Sequence, residues 1–386
     1  MVIAYKYRIY PNRTQVEILY EQFNLCRWLH NTALEHRITA YKSIGKTISY
    51  KDQQNELPSV KAAFPEFNRV HSQVLQDVLK RLDVSFKHFF RRMKQGETPG
   101  FPRFKGKDRF HSICYPQSGF KIIGNKVAVS KIGLLKVKLH REIKGIVKTC
   151  SIKKTGNQWY IIFTCDQNIS IPKKPVSSRG GIDLGLENFA VLSDGTPIEN
   201  PRYLRNCEQR LQELQSTYAK HKSHATKKRL SALHQKVKNQ RNDFLHKTSR
   251  LLVNRYGLIA YEDLNIKNMS KRCKPLPNGE GGFAPNGQSA KSGLNKSIYD
   301  ASWGKFIEMI RYKVESTGSY AIAVNPRNTS QMCSGCGTMV KKEIHQRQHD
   351  CPVCGLSLHR DHNASINILK SGTDAVFQMP HQLAAG

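Results

Sequence analysis

Cys333-Ser-Gly-Cys336-Gly337 and Cys351-Pro-Val-Cys354-Gly355, with Arg360-Asp361-His362-Asn363 just beyond, are the stretch on which the fold reading turns. Two thiolates separated by two residues can face one ion, and two such knuckles complete a tetrahedron. Gly337 and Gly355 permit the tight turns that aim backbone N–H groups at sulfur. Four cysteines leave no open coordination position. The pattern therefore predicts one structural Zn²⁺ held by Cys333, Cys336, Cys351 and Cys354, an ion that builds fold and does no chemistry. His345, His349 and His359 are nearby rival ligands. With Lys341, Lys342, Arg347 and Arg360 they read more simply as a basic, solvated rim. The remaining cysteines, Cys26, Cys114, Cys150, Cys165, Cys207 and Cys273, are expected to be small core or surface residues, because disulfides are disfavoured without a secretory signal.

Outward from the knuckles, composition narrows the class. The chain has 386 residues, 39% of them hydrophobic, which suits two or three domains with real cores. No run approaches the roughly 20 apolar residues of a membrane span. The first ten residues alternate in polarity and lack the apolar centre of a secretory leader. A formal net charge of +33 points to a polyanion, with nucleic acid the first candidate, since each neutralised phosphate releases counterions.

Along the chain, residues 2–10 alternate as a strand that Pro11 stops. Thr14 and Glu17 have the spacing of a capping box for a helix reaching about Lys42. Gly45, Pro58 and Pro65 break residues 43–68. A second long helix follows from Val70, with Val74, Val78, Leu82, Phe86, Phe89 and Met93 on one stripe, ending near Gly96. Residues 110–166 read as short strands in an antiparallel barrel or sheet completed by residues 2–10, with 12–96 inserted. Ile169–Ser178 reads as a linker. Gly181-Ile-Asp-Leu-Gly185 is a strand, Ser193-Asp-Gly195 a hairpin turn, and Leu204 to Leu251 a helical hairpin with a very basic outer face. Leu258–Glu262 is a short buried strand. Residues 274–295 are expected to be a mobile loop, 303–314 a helix capped by Asp300 or Ser302, 320–324 a strand, and 361–370 the last helix.

A basic protein needs a reason to place acids in apolar strands. Asp183 and Glu262 lie in strands, and Asp361 opens a helix. Phosphodiester hydrolysis by paired divalent ions needs two or three converging carboxylates. Mg²⁺ suits such oxygen donors. Asp263 is the rival to Glu262, but alternation puts the two on opposite faces, and Glu262 is in phase with Leu258 and Ala260. Residues 86–110 interleave aromatics with cations, as in a surface that stacks bases and holds phosphates. The plainer reading, favoured here, is that Phe86, Phe89 and Phe90 are helix core. Arg91, Arg92, Arg103, Lys105, Lys227, Lys228 and Arg229 are phosphate candidates.

The chain resembles the TnpB family of insertion-sequence-encoded proteins related to type V CRISPR effectors. The carriers are Pro99-Gly-Phe-Pro-Arg-Phe-Lys105, Gly181-Ile-Asp-Leu-Gly185, Asp243-Phe-Leu-His-Lys247, Tyr261-Glu-Asp-Leu264, Thr329-Ser-Gln-Met-Cys-Ser-Gly-Cys-Gly337 and Arg360-Asp-His-Asn-Ala-Ser-Ile-Asn-Ile368. The resemblance implies an α/β multidomain protein: a RuvC-like RNase H fold split by a zinc ribbon, plus an antiparallel β-barrel carrying a helical insertion. It implies a wedge-type barrel over 1–11 and 97–176, a recognition insertion over 12–96, a nuclease domain over 177–330 and 358–372, a ribbon over 331–357 and a tail over 373–386. It implies an RNA-guided, Mg²⁺-dependent endonuclease, with Asp183, Glu262 and Asp361 as catalytic acids on two Mg²⁺ ions and the four cysteines on one Zn²⁺. Its partners would be a guide RNA from the transposon end and double-stranded target DNA beside a short motif, which Gln76 would face. A functional link to the element's transposase and a cytoplasmic, nucleoid-associated location in a prokaryote would follow. Rival expectations are a catalytically silent RNA-guided regulator of transposition, and an RNA-independent transposase or structure-selective nuclease.

Overall fold

Pro11 ends the first strand and Asn12 starts the first helix. The computed structural model describes residues 1–167, 171–279, 281–343 and 345–377 of the chain. Strand β1 (Val2–Tyr10) buries Tyr5, Tyr7 and Ile9 and turns Val2, Ala4 and Lys6 outward, the alternation expected. Helix α1 (Arg13–Ile44) is capped by Asn12 and Gln15, not by Thr14 and Glu17. The Asn12 side chain accepts from the Gln15 N–H at 2.8 Å, and Gln15 returns the bond to the Asn12 N–H. Helix α2 (Tyr50–Asn55) starts at a Ser49–Asp52 capping box, and Pro58 and Pro65 open helical turns rather than only interrupting the chain: α3 (Leu57–Ala63) and a 3₁₀ turn over Pro65–Arg69. Helix α4 (Ser72–Lys94) buries Val74, Leu75, Val78, Leu79 and Leu82. Its stripe leaves the core after Leu82: Phe86 and Phe89 are half-buried, and Phe90 and Met93 are exposed.

Strands β2 (Ser112–Tyr115), β3 (Phe120–Ile123), β4 (Lys126–Val129), β5 (Gly133–Lys138), β6 (Ile146–Thr155) and β7 (Gln158–Asp166) join β1 in an antiparallel sheet of order β2-β6-β7-β1-β5-β4-β3. The N-terminal strand lies between β7 and β5, as the sequence led us to expect. Leu19 and Phe23 of α1 and Val74 and Leu82 of α4 share one core with Tyr7, Leu135 and Phe163 of the sheet. Helices and sheet thus form one compact unit, Met1–Ile169. Cys26, Cys150 and Cys165 are buried in it as small apolar residues.

The second unit is Ser170–Gly386. Of the expected linker, residues 169 and 170 lie outside the described residues. The rest is pinned: the Lys174 N–H donates to Gly318 O at 2.9 Å, and a Cβ on Gly257 would lie 2.4 Å from Pro175 O. Strands β8 (Arg179–Leu184), β9 (Asn188–Leu192) and β10 (Pro197–Glu199) lead into helices α5 (Glu208–His221) and α6 (His224–Arg255), then β11 (Leu258–Glu262) and the short α7 (Ile266–Met269). A small hairpin, β12 (Leu276–Pro277) with β13 (Phe283–Ala284), precedes α8 (Gln288–Ala301), α9 (Trp303–Glu315) and β14 (Tyr320–Val324). Last come the hairpin β15 (Gln348–Asp350) and β16 (Ser357–His359), and α10 (Arg360–Phe377). The sheet order is β10-β9-β8-β11-β14; β8, β11 and β14 are parallel, while β9 and β10 are antiparallel to their neighbours.

Ile182, Ile259 and Tyr261 fill one sheet face against Leu245 and Leu252 of α6 and Phe306 and Ile310 of α9. Leu258, Ala260 and Val324 fill the other against Ile368 of α10. Residues 274–295 are not one loop: they hold the β12–β13 hairpin and the first half of α8, with residue 280 outside the described set. Asp300 does not cap α9; it accepts from the Leu204 N–H at 2.9 Å and from Arg241 at 2.7 Å. Ser302 stands at the cap position with φ 57° and makes no capping bond. On α6, Leu252 and Val253 are buried while Leu251 is exposed. The last helix passes Lys370 to Phe377, so the expected tail begins as helix; residues 378–386 lie outside the described set.

Candidate catalytic and metal sites

The parallel pairing of β8 with β11 sets Gly181 against Ala260 and Ile182 against Tyr261. The next register position sets Asp183 against Glu262. Both acids alternate in phase with Gly181 and Ala260, hence on the face that α10 covers. That helix lies almost on the backbone. A Cβ on Gly181 would sit 2.1 Å from Ser365 O, and one on Gly372 would sit 2.4 Å from Ala260 Cβ. The close approach carries Asp361, in the first turn of α10, to the carboxyl ends of the strands.

The electrostatics record the convergence. Burial, and then the charges of Glu262 and Asp361, push the Asp183 carboxyl well above the usual range, with Arg360 opposing. Burial also raises Glu262, which is only 9% exposed, while the Thr329 hydroxyl, donating to Glu262 Oε1 at 2.6 Å, pulls it back. The structure thus brings Asp183, Glu262 and Asp361 together. Asp263 is exposed and does not act on Asp183; its charge is felt by Arg311, which donates to the Tyr261 hydroxyl at 2.7 Å. Mutually repelling, partly desolvated carboxylates are stabilised by a bound cation, and an all-oxygen donor set suits a hard one such as Mg²⁺. The acids are set more openly than the cysteines: among the described residues, the cysteines form the one such group whose donor atoms all lie within 4.8 Å of one another.

The cysteine site fits its metal closely. Cys333 Sγ lies 3.6 Å from Cys354 Sγ, and Cys336 Sγ lies 3.5 Å from Cys351 Sγ. A tetrahedron with Zn–S bonds of about 2.3 Å has edges of about 3.8 Å. Gly337 and Gly355 take φ of 78° and 71°, the left-handed turns expected after each pair. Bonds with Thr338, and then with Cys351 and Cys354, lower the Cys336 thiol to about 6, while the neighbouring thiols raise Cys354 in turn, the opposed shifts of sulfurs crowded together. The chemistry of the donor set is that of a structural zinc. The basic-rim reading holds for His345, Arg347 and His359, which are exposed, but not for His349. That imidazole, carried by β15 itself, is fully buried against Lys342.

Sequence reasoning missed three residues beside these sites: Thr329, Asn363 and Asn367. All three lie in segments that carry the family resemblance, Thr329–Gly337 and Arg360–Ile368, but only the four-residue spacing of the two asparagines is a local signal. Of the nucleic-acid candidates, Arg91, Arg92 and Arg103 are exposed, and Gln76 is half-buried on α4. Lys105 is held beside α1, its backbone N–H donating to Asn31 Oδ1 at 2.8 Å. In the second unit, Lys227, Lys228 and Arg229 are exposed near the start of α6.

Three family models match. One described as "Probable transposase" matches residues 162–272, which include Asp183 and Glu262. One described as "Cas12f1-like, TNB domain" matches 303–368, which include the four cysteines and Asp361. One described as "Helix-turn-helix domain" matches 1–46, although that segment here is a strand and one long helix. A protein of Escherichia coli K12 named "Putative RNA-guided DNA endonuclease InsQ" is 30% identical, over 96% of this chain and 92% of its own length. A Streptomyces pristinaespiralis protein named "Putative RNA-guided DNA endonuclease" is 27% identical, over 96% and 90%. In the cryo-EM structure of a Cas12f1–sgRNA–target DNA complex, the protein has a similar fold, with a TM-score of 0.58 at 13% identity, covering 95% of this chain and 98% of that one.

Proposed function

This chain belongs to the TnpB family, and from that premise we propose that it is an RNA-guided, Mg²⁺-dependent DNA endonuclease encoded by a transposable element. The observation that carries the reading is the convergence of Glu262 and Asp361 on Asp183, whose carboxyl both charges raise, in a chain of net charge +33. The strand order, with two antiparallel strands beside three parallel ones, supports a RuvC-like nuclease of RNase H type, and the N-terminal sheet supports a wedge-type barrel.

Asp183, Glu262 and Asp361 would hold the ions. When bound, paired Mg²⁺ ions activate a water and stabilise the leaving 3′ oxygen. The chain's own groups do the rest. Burial and the charges of Glu262 and Asp361 disfavour the ionised form of Asp183, a cost that a bound cation would offset. Thr329 fixes one oxygen of Glu262. The rigid seat of α10 on β8 holds Asp361 to the strands. The RNA would come from the transposon end and pair with target DNA beside a short motif near Gln76. Arg91, Arg92, Arg103, Lys105, Lys227, Lys228 and Arg229 would hold phosphates.

Asp183→Asn tests the site. With guide RNA bound, cleavage should fall roughly a thousandfold or more, while RNA and zinc content stay near wild type. Persistent cutting by the pure variant would overturn the assignment.

A further inference from the structure

We propose that Thr329 is a positioning residue for Glu262, and that Asn363 and Asn367 of α10 hold Thr329 and the first cysteine knuckle as one piece. The inference rests on the active-site reading above and goes beyond its three acids. Thr329 is 7% exposed, and its hydroxyl donates to Glu262 Oε1 at 2.6 Å. Its main chain is clamped in turn. Asn367 Nδ2 donates to Thr329 O at 2.9 Å and to Met332 O at 2.7 Å. One turn earlier, Asn363 Nδ2 donates to Met332 O at 2.8 Å while its Oδ1 accepts from the Ser334 N–H at 2.8 Å. Lys370, one turn on, donates to Ser334 O. Asn363 and Asn367 are both buried.

Helix α10 therefore carries two working faces. Residues 363, 367 and 370 grip the backbone of 329–334, and Cys333 stands inside that segment. Residues 365, 368, 369 and 372 seat the helix on β8 and β11. A buried amide that satisfies several main-chain groups at once fixes their geometry, because no water can replace the lost bonds. Glu262 is thereby oriented through a hydroxyl whose place depends on the segment carrying the zinc knuckle. That gives the Thr329–Cys333 run and the Asn363–Asn367 pair a joint role that zinc binding alone does not require.

The test compares Thr329→Val, which keeps shape and loses the hydroxyl, with Thr329→Ser, which keeps the hydroxyl. Both are measured as the guide-RNA complex beside Glu262→Gln. One readout is single-turnover cleavage against Mg²⁺ concentration. The other is Mn²⁺ binding by calorimetry, without DNA. Zinc content and melting temperature report the fold. Thr329→Val should lower the cleavage rate roughly 10- to 100-fold, the loss expected for one hydrogen bond to a charged group, and should weaken Mn²⁺ binding severalfold. Thr329→Ser should restore both to within about threefold. Wild-type rate and Mn²⁺ binding in Thr329→Val, with Glu262→Gln inactive, would overturn the positioning role alone. If Thr329→Val does not fold, Thr329→Ser decides: a serine variant that is folded and zinc-loaded yet as poor as Glu262→Gln would refute the hydroxyl's role. Undiminished cutting by Glu262→Gln would overturn the active-site reading and this inference with it.

Discussion

Gly181→Ala is the sharpest perturbation of the way this fold delivers its third acid. The added Cβ would lie 2.1 Å from Ser365 O, 2.8 Å from Leu369 Cβ and 2.8 Å from Leu369 N. Ordinary carbon–oxygen contact is about 3.3 Å, so the helix must retreat by about 1 Å. Two of the three obstacles are helix backbone, which cannot swing aside like the end of a flexible chain. Overpacking of this kind costs about 1–3 kcal/mol. At about 2–4 °C per kcal/mol for a unit of this size, melting should fall by several degrees. Asp361 moves with the helix, and a misplacement of about 1 Å at a reacting centre can cost about 100-fold in rate. Calorimetry and single-turnover cleavage of guide-loaded protein read the two effects. Gly293→Ala is the control: it lies within α8 with only Arg205 Nη2 nearby at 3.9 Å, and should stabilise by about 0.5–1 kcal/mol. A Gly181→Ala protein with wild-type melting and rate would refute the claim that α10 rests on bare backbone.

Three further outcomes are expected. Cys351→Ser should lose the bound zinc, seen by elemental analysis, and should lose cleavage as the 329–334 segment loosens; retained activity in a zinc-free protein would contradict this. Burial and like charge raise the Asp183 carboxyl, so the folded state binds that proton more tightly than the unfolded chain, and stability falls as pH rises from about 4 through the folded pKa. In Mg²⁺-free buffer at neutral pH, Asp183→Asn should therefore melt a few degrees above wild type, with the gap closing as pH drops toward about 4; a lower-melting variant would show the opposite sign. Replacing Lys227, Lys228 and Arg229 by Ala should reduce the slope of log K against log salt for RNA binding by about 0.7 per lost phosphate contact, and an unchanged slope would remove that helix start from the interface.

What the sequence made legible follows from how local each signal is. Zinc-ligand spacing and strand alternation are properties of a few neighbouring residues, so the four cysteines and the opposite facing of Glu262 and Asp263 could be read directly. Helix α8 could not: Gln288-Ser-Ala-Lys-Ser-Gly-Leu-Asn-Lys-Ser has the composition of a loop, and it is helical because Ile298 and Ala301 are buried in the core and Lys291 reaches Met269 O at 2.6 Å. The extension of α10 through Ser371-Gly372-Thr373 has the same origin, since Gly372 is needed where the helix meets Ala260. His349 looked like part of a solvated basic run, but its strand turns it inward, where charge patterning says nothing. Thr329 lies 67 residues from Glu262, and no local pattern announces that bond.

The central claim is that RNA directs the cut, and reprogramming tests it most directly. The protein is purified with its bound RNA, the 3′ segment of that RNA is replaced by a new sequence, and cleavage is mapped on DNA carrying the old and new matches beside the same flanking motif. The account predicts that the cut moves to the new match, needs Mg²⁺ and is lost in Asp183→Asn. Cleavage at positions indifferent to the RNA sequence, or undiminished after the RNA is removed, would contradict it.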